Sequence, residues 1–280
     1  MKRKKNLGLV KKFSRYAVLI FLALLWLVPM YTLLATSLKS KADFYSGLSL
    51  FQMPKNPAWG NFIKAWTQGR MAKYMLNDAI ICFFKVPLGI FIEAMCAYAL
   101  TRLNIKNSMK WFIFFLVGMM LPFQIALVPI SIIYRQFQLN NTYFGLFYVY
   151  VGFGISFGVL ILRGFFKGIP KDIDEAALID GASKWQIFWR VILPIARPAV
   201  ITLVISDFLA TWNEYLLASV IINDKALKTV PSGLMTFVGE HGTDYGYLCA
   251  GVIISVIPVM IVYLIFQKYF VEGMAGAIKS

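Results

Sequence analysis

The chain has 280 residues, of which 59% are hydrophobic and only 15% charged, and its mean hydropathy is +0.69. That balance excludes a soluble globular domain and marks a polytopic membrane protein. The formal charge of +15 then reads as membrane topology rather than as a nucleic-acid footprint.

Apolar stretches of about 20 residues, enough to cross a bilayer as a helix, lie near 17–37, 79–100, 111–132, 143–163, 199–222 and 248–268. Six spans put both termini on one side. The basic start Lys2-Arg3-Lys4-Lys5 precedes an apolar run longer than a secretory signal core, so it is read as a retained first span. With the N-terminus inside, the cytoplasmic segments hold 18 Lys and Arg and the external ones nine. Basic residues stay cytoplasmic, which favours cytoplasmic termini. Six of the nine fall in the long external segment near 38–78, where the rule counts least. That segment carries Pro54, Pro57, Trp59, Phe62 and Trp66 and is expected to form a small cap or an interfacial aromatic anchor. A second external segment, near 223–247, contains Pro231, Gly233, Gly239 and Gly242.

Lys85 and Glu93 lie in the second span. Lys85, about two turns from the outer end, is expected to snorkel and anchor. Glu93 needs only water or a neighbouring helix, and the two are too far apart along the helix to pair directly. Cys82, Cys96 and Cys249, in or beside apolar spans, imply no disulfide framework. The single histidine, His241, excludes a His-cluster metal site. Gly152, Gly154 and Gly158 in the fourth span lack nucleotide-loop spacing and are expected to pack helices closely. No G-x-x-x-x-G-K-[ST] motif occurs, so the chain is expected to be a non-enzymatic subunit without its own ATPase site.

Between the fourth and fifth spans, residues 164–198 form a charged island. Pro170 suits a helix start, and Asp172, Asp174 and Glu175 place carboxylates in the first turn. Gly181 permits the left-handed conformation that ends this helix. Ser183 and Gln186 have capping-box spacing for a second helix. Its Trp185, Phe188, Trp189 and Ile192 fall on one apolar face, and Pro194 should stop it. The pattern fits a cytoplasmic docking hairpin, and it also fits an amphipathic hairpin in the headgroup layer. In the fifth span, Asp207, Thr211 and Glu214 form a polar stripe with Trp212 and Asn213 close by. Such a stripe lines a solute pathway or satisfies hydrogen bonds between helices.

Glu175-Ala176-Ala177, Asp180-Gly181 and Leu193-Pro194, twelve residues past the glycine, resemble the coupling motif of bacterial ABC importer permeases. Trp212-Asn213-Glu214 and the terminal Gly273-Met274-Ala275-Gly276-Ala277 also match. The chain is similar over essentially its whole length to carbohydrate-uptake permeases, most closely the smaller maltose-type subunit. Val191 stands where the family usually has Ile, and the tail is one residue shorter. The resemblance implies an all-α type I ABC importer permease fold, one transmembrane domain over 1–280 with six helices, in the bacterial cytoplasmic membrane. Implied partners are a second homologous permease, two cytoplasmic ATPase subunits that hold ATP and Mg, and an extracytoplasmic solute-binding protein. The hairpin residues Glu175, Ala176, Ala177, Asp180, Gly181, Trp185, Phe188, Leu193 and Pro194 would meet the ATPase. The tail residues Gly273, Ala275, Gly276 and Ala277, too small to give a helix a reason to persist, would make a second contact or form a disordered end. The cargo is expected to be a sugar or oligosaccharide. Alternatives are glycerol phosphate or a polyol carried by the same machinery, or a proton-coupled secondary transporter using the same carboxylates.

Overall fold

A computed structural model describes residues 2–47, 49–120, 122–239 and 243–277, and of residues 2–11 and 269–277 only the backbone. In chain order the α-helices are α1 (Lys2–Ser37), α2 (Lys41–Tyr45), α3 (Gly60–Thr67), α4 (Met71–Arg102), α5 (Ser108–Met120), α6 (Leu127–Gln136) and α7 (Tyr143–Gly168). They continue with α8 (Asp172–Ile179), α9 (Lys184–Ile187), α10 (Leu193–Ile195), α11 (Arg197–Trp212), α12 (Leu216–Ile221), α13 (Val230–Leu234) and α14 (Tyr245–Ala277). No strand occurs among the described residues.

Among the described residues four helices are long and apolar enough to cross a membrane: Lys12–Ser37, Met71–Arg102, Tyr143–Gly168 and Tyr245–Lys268. The other two expected spans are broken. The third is bent by 82° between Ser108–Met120 and Phe123–Gln136, where Pro122, lacking an amide hydrogen, precedes a 3-10 turn over Phe123–Ala126. The fifth ends as a helix at Trp212 and resumes at Leu216. The second begins at Met71 rather than near 79, so the first long connection is shorter than expected.

The chain divides into two compact units. One comprises residues 1–70 and 236–254. Within it Asn61 donates its side-chain amide to the carbonyls of Ser37 and Lys39, each at 2.9 Å, pinning α3 to the end of α1. Ser40 and Asp43 form a capping box on α2, and the Ser40 donors hold the Asp43 carboxyl below its ordinary pKa. Phe44 stacks on Tyr245 at 4.4 Å. Trp59 and Trp66 are 63% and 47% exposed, leaving aromatic surface as an interfacial anchor would.

The second unit comprises residues 71–235 and 255–280 and contains the larger core. Ile81, Tyr134, Leu146, Val149, Leu217 and Ile221 pack α4, α6, α7 and α12 together. Leu100, Phe112 and Val159 form a smaller cluster joining α4, α5 and α7. Asn77, inside α4, donates to the carbonyls of Ala226 and Lys228, and Asp78 accepts the Val230 amide at 2.8 Å. Buried polar groups here cap the segment before α13, satisfying backbone that apolar surroundings would otherwise penalise.

Candidate functional site

The hairpin forms much as its local chemistry dictates. α8 carries Asp172, Asp174 and Glu175 in its first turn. Gly181 has φ +81°, its amide donates to the Leu178 carbonyl, and the Ala182 amide donates to Ala177. That pair of bonds is a Schellman ending, which the absent Cβ of glycine permits. The Ser183 hydroxyl accepts the Gln186 amide and Gln186 Oε1 accepts the Ser183 amide at 2.7 Å.

The second arm departs from the simple period. After α9 the backbone widens into a π-helical turn over Phe188–Ile192, with the Leu193 amide bonded to the Phe188 carbonyl. Pro194 sits inside α10, its missing donor and bulky ring accommodated by the wider turn, and the arm ends one residue later at Ile195, bent by 77° from Arg197–Trp212. The change of pitch also redistributes the apolar face. Ile187, Phe188 and Ile192 are buried, whereas Trp185 and Trp189 are 54% and 45% exposed. Glu175, Ala176, Asp180 and Pro194 lie on the surface, with Ala177 and Leu193 half-buried. Ile179 is 86% exposed.

The C-terminal end of α4 holds this hairpin. Arg102 donates to Asp174 Oδ2 at 2.5 Å and to the carbonyls of Phe166 and Ile169. Tyr98 donates to the Lys184 carbonyl at 3.0 Å, and Phe91 stacks on Trp189. In the sequence Arg102 is one basic residue among those of the cytoplasmic segments. Nothing in its neighbourhood along the chain pairs it with Asp174, 72 residues away.

The second assembly lies where α4, α7 and α11 meet. Lys85 donates to Asp207 Oδ1 in an ion pair, the two side chains being 3% and 11% exposed. Lys85 thus turns inward instead of snorkelling, because α11 supplies the counter-charge. An added Cβ at Gly154 would lie 3.2 Å from Lys85 Nζ and 3.7 Å from both Asp207 Oδ1 and Glu93 Oε1. Three ionisable heads gather over one glycine. At Gly158 a Cβ would come within 1.8 Å of Glu93 Oε2, so only glycine lets that carboxylate lie between α4 and α7. Gly154 and Gly158 do permit close approach, but to polar groups; Gly152 meets nothing within 4 Å. Asp207 Oδ2 and Glu93 Oε2 are buried acceptors without a hydrogen-bond donor.

These side chains line a cavity of about 480 Å³ together with Phe123, Phe153, Phe157, Tyr150, Ser206, Thr211 and Glu214. Of the residues expected along a pathway, Asp207, Thr211 and Glu214 reach it. Glu214 is not on the helix: it stands in the break after α11 and accepts from the Leu217 and Ala218 amides and the Tyr150 hydroxyl, at 2.8, 3.0 and 2.8 Å. It therefore starts α12 as well as facing the cavity. Trp212 is buried elsewhere, its indole N–H bonded to the Ser255 carbonyl, and Asn213 is exposed with its amide on the Leu209 carbonyl. Neither lines the cavity. Lys85, Glu93, Tyr150 and the three phenylalanines do, although only the two charged residues carried a signal in the sequence. No cluster of His, Cys, Asp and Glu able to hold a metal occurs among the described residues.

The tail also differs from expectation. The backbone of α14 stays helical through Gly273, Ala275, Gly276 and Ala277, continuing a long apolar helix whose propagation outweighs the glycine cost of about 1 kcal/mol each. Residues 278–280 lie outside the described part.

Residues 85–276 match the family model described as binding-protein-dependent transport system inner membrane component. The chain is 35% identical to the probable starch degradation products transport system permease protein AmyC of Thermoanaerobacterium thermosulfurigenes, over 97% of this chain and 98% of that one. It is equally identical to the diacetylchitobiose uptake system permease protein NgcG of Streptomyces coelicolor, over 90% and 84%. In structure it is similar to a chain of a bacterial ABC transporter involved in the import of the acidic polysaccharide alginate, with a TM-score of 0.77, 23% identity, and 93% and 96% of the two chains covered.

Proposed function

Because the chain belongs to the family of inner membrane components of binding-protein-dependent transport systems, we propose that it is a permease subunit carrying a sugar or oligosaccharide inward by alternating access. The observation that carries the cargo class is the cavity. Flat aromatic faces suit the C–H patches of a sugar, and the carboxyl residues of the lining suit its hydroxyls. Asp207, Thr211 and Glu214 contact the solute, as do Lys85 and Glu93. Relatives named for starch products and diacetylchitobiose support the same class.

The working assembly pairs this chain with a second homologous permease, an extracytoplasmic binding protein and two cytoplasmic ATPase subunits that bind ATP and Mg. Both termini and the hairpin face the cytoplasm. The exposed Ile179 and Leu178 at the end of α8, fixed in place by the Schellman turn, supply the apolar contact with the ATPase. Glu175, Ala176, Ala177, Asp180, Gly181, Trp185, Phe188, Leu193 and Pro194 shape that contact. The helical tail over Gly273–Ala277 makes a second one. Arg102 ties the hairpin to α4, which lines the cavity about two to five turns earlier with Glu93 and Lys85, so hairpin movement is transmitted to the solute site along one helix.

The test is reconstitution of the complex in proteoliposomes with labelled oligosaccharides and the binding protein. Binding-protein-stimulated ATP hydrolysis with oligosaccharide uptake is expected, unaffected by an uncoupler. Uptake that stops with an uncoupler and persists without ATP would overturn the reading.

A further inference from the structure

The cavity's lining fixes the charge of what it takes. Beside Lys85, the charged residues of the lining are the carboxyl-bearing Glu93, Asp207 and Glu214. Carboxyl oxygens are met by a solute that brings donors, and hydroxyl groups do so. A carboxylate or phosphate brings acceptors and like charge. The one ammonium among the lining residues, Lys85, is already committed to Asp207. With those two cancelling, Glu214 and Glu93 remain, and a carboxyl group is neutral or negative but never positive. The lining therefore carries no net positive charge in any protonation state of these two.

We propose that the cavity admits neutral, hydroxyl-bearing solutes and rejects carboxylated or phosphorylated ones, and that Asp207 sets this selectivity by keeping Lys85 occupied. The inference rests on the cavity being the solute's path. Asp207 acts twice, as an acceptor for solute hydroxyls and as the counter-charge that withholds a cation from anionic solutes. Removing its charge without changing its shape leaves Lys85 unmatched at the solute surface, where an ammonium attracts carboxylate strongly.

The decisive experiment reads the charge directly. In the assembled complex a thiol is placed in the cavity as Ala210→Cys on α11 and, separately, as Phe157→Cys on α7. Each is labelled with two methanethiosulfonates of similar size, one bearing a quaternary ammonium and one a sulfonate. Rates are taken above the wild-type background and normalised to a free thiol. The ammonium reagent is expected to react about tenfold faster, the lower end of what a focused field does to local concentration. Adding Asp207→Asn should bring the ratio to about unity or below it. Faster sulfonate labelling, equal rates in the parent, a ratio unmoved by Asp207→Asn, or no labelling at either position overturns the proposal.

A parallel uptake panel compares a neutral with a uronic trisaccharide. Import of the uronic sugar by the unaltered complex overturns the selectivity. If neither sugar enters while the labelling ratio holds, the sugar assignment has failed and the charge selectivity stands.

Discussion

The hairpin and the cavity are held together by opposite means. In the hairpin nearly every defining bond spans three to five residues: the Schellman pair at Gly181, the capping box at Ser183, the π-helical turn before Pro194. Only the ties to α4, from Arg102, Tyr98 and Phe91, reach far. In the cavity the defining bonds join residues 122 apart, for Lys85 and Asp207, and 64 apart, for Tyr150 and Glu214. A local unit loses only its own part when one bond goes. A convergence of three helices leaves every other member unpaired when one member is lost, and damage there should be larger.

The sharpest way to break the contrast is Lys85→Met. It strands Asp207 among apolar helices, and removal of one partner of a buried pair costs about 3–5 kcal/mol. The double variant Lys85→Met/Asp207→Leu should recover most of that, because the pair is replaced by apolar volume. Thermal unfolding of the detergent-solubilised complex measures both. A double variant no better than the single one would show that the two residues do not act as a pair.

Next in size is Gly158→Ala. The new methyl must displace the Glu93 carboxylate or part α4 from α7, and overpacking of this kind costs about 1–3 kcal/mol. Gly152→Ala six residues earlier meets nothing within 4 Å and should be neutral or gain up to about 1 kcal/mol from helix propensity. Equal loss at both positions would mean the glycines serve general helix flexibility, with no specific cradle for Glu93.

The same contrast explains what could be read before any coordinates. Caps, glycine endings and first-turn carboxylates act through neighbours along the chain, so Ser183, Gln186, Gly181 and Asp172 were legible. Six apolar stretches were legible as well, because bilayer thickness sets their length. The bends were not: the break after Trp212 depends on Glu214 capping α12 and on Tyr150 from another helix. Pro194 marked the end of the arm to within one residue, but the π-helical turn before it carried no signal along the chain. Lys85 and Asp207 were each conspicuous, yet only tertiary contact makes them partners. Phe123, Phe153 and Phe157 look like ordinary apolar filler until three helices place them around one space.

Gly181→Val should rank third. Holding a β-branched residue at φ +81° costs about 1–2 kcal/mol, since a left-handed backbone brings Cβ against the carbonyl. The cost falls on the hairpin alone. Membrane insertion and the unfolding temperature of the spans should be unchanged, while co-purification with the ATPase subunits and sugar-stimulated hydrolysis drop together. Normal co-purification would remove the turn from the docking surface, and a lowered span stability would show that the hairpin is not a local unit.

The smallest expected effect is at Ser183→Ala, and it tests locality most cleanly. The hydroxyl accepts the Gln186 amide at 3.3 Å, while the Gln186 side chain independently accepts the Ser183 amide. Removing the hydroxyl leaves one donor of the α9 first turn to water, at a cost of about 1 kcal/mol. α9 is only four residues long, so little else holds its start, though Ile187 and Phe188 stay anchored in the core by burial. Hydrogen exchange should therefore quicken about fivefold, the rate equivalent of that cost, at the amides of Gln186 and Ile187. Protection in α4 and α11 should not change. Quickened exchange spreading into α11 would mean that the hairpin and the cavity share one cooperative unit, and the contrast between local and convergent construction would fail.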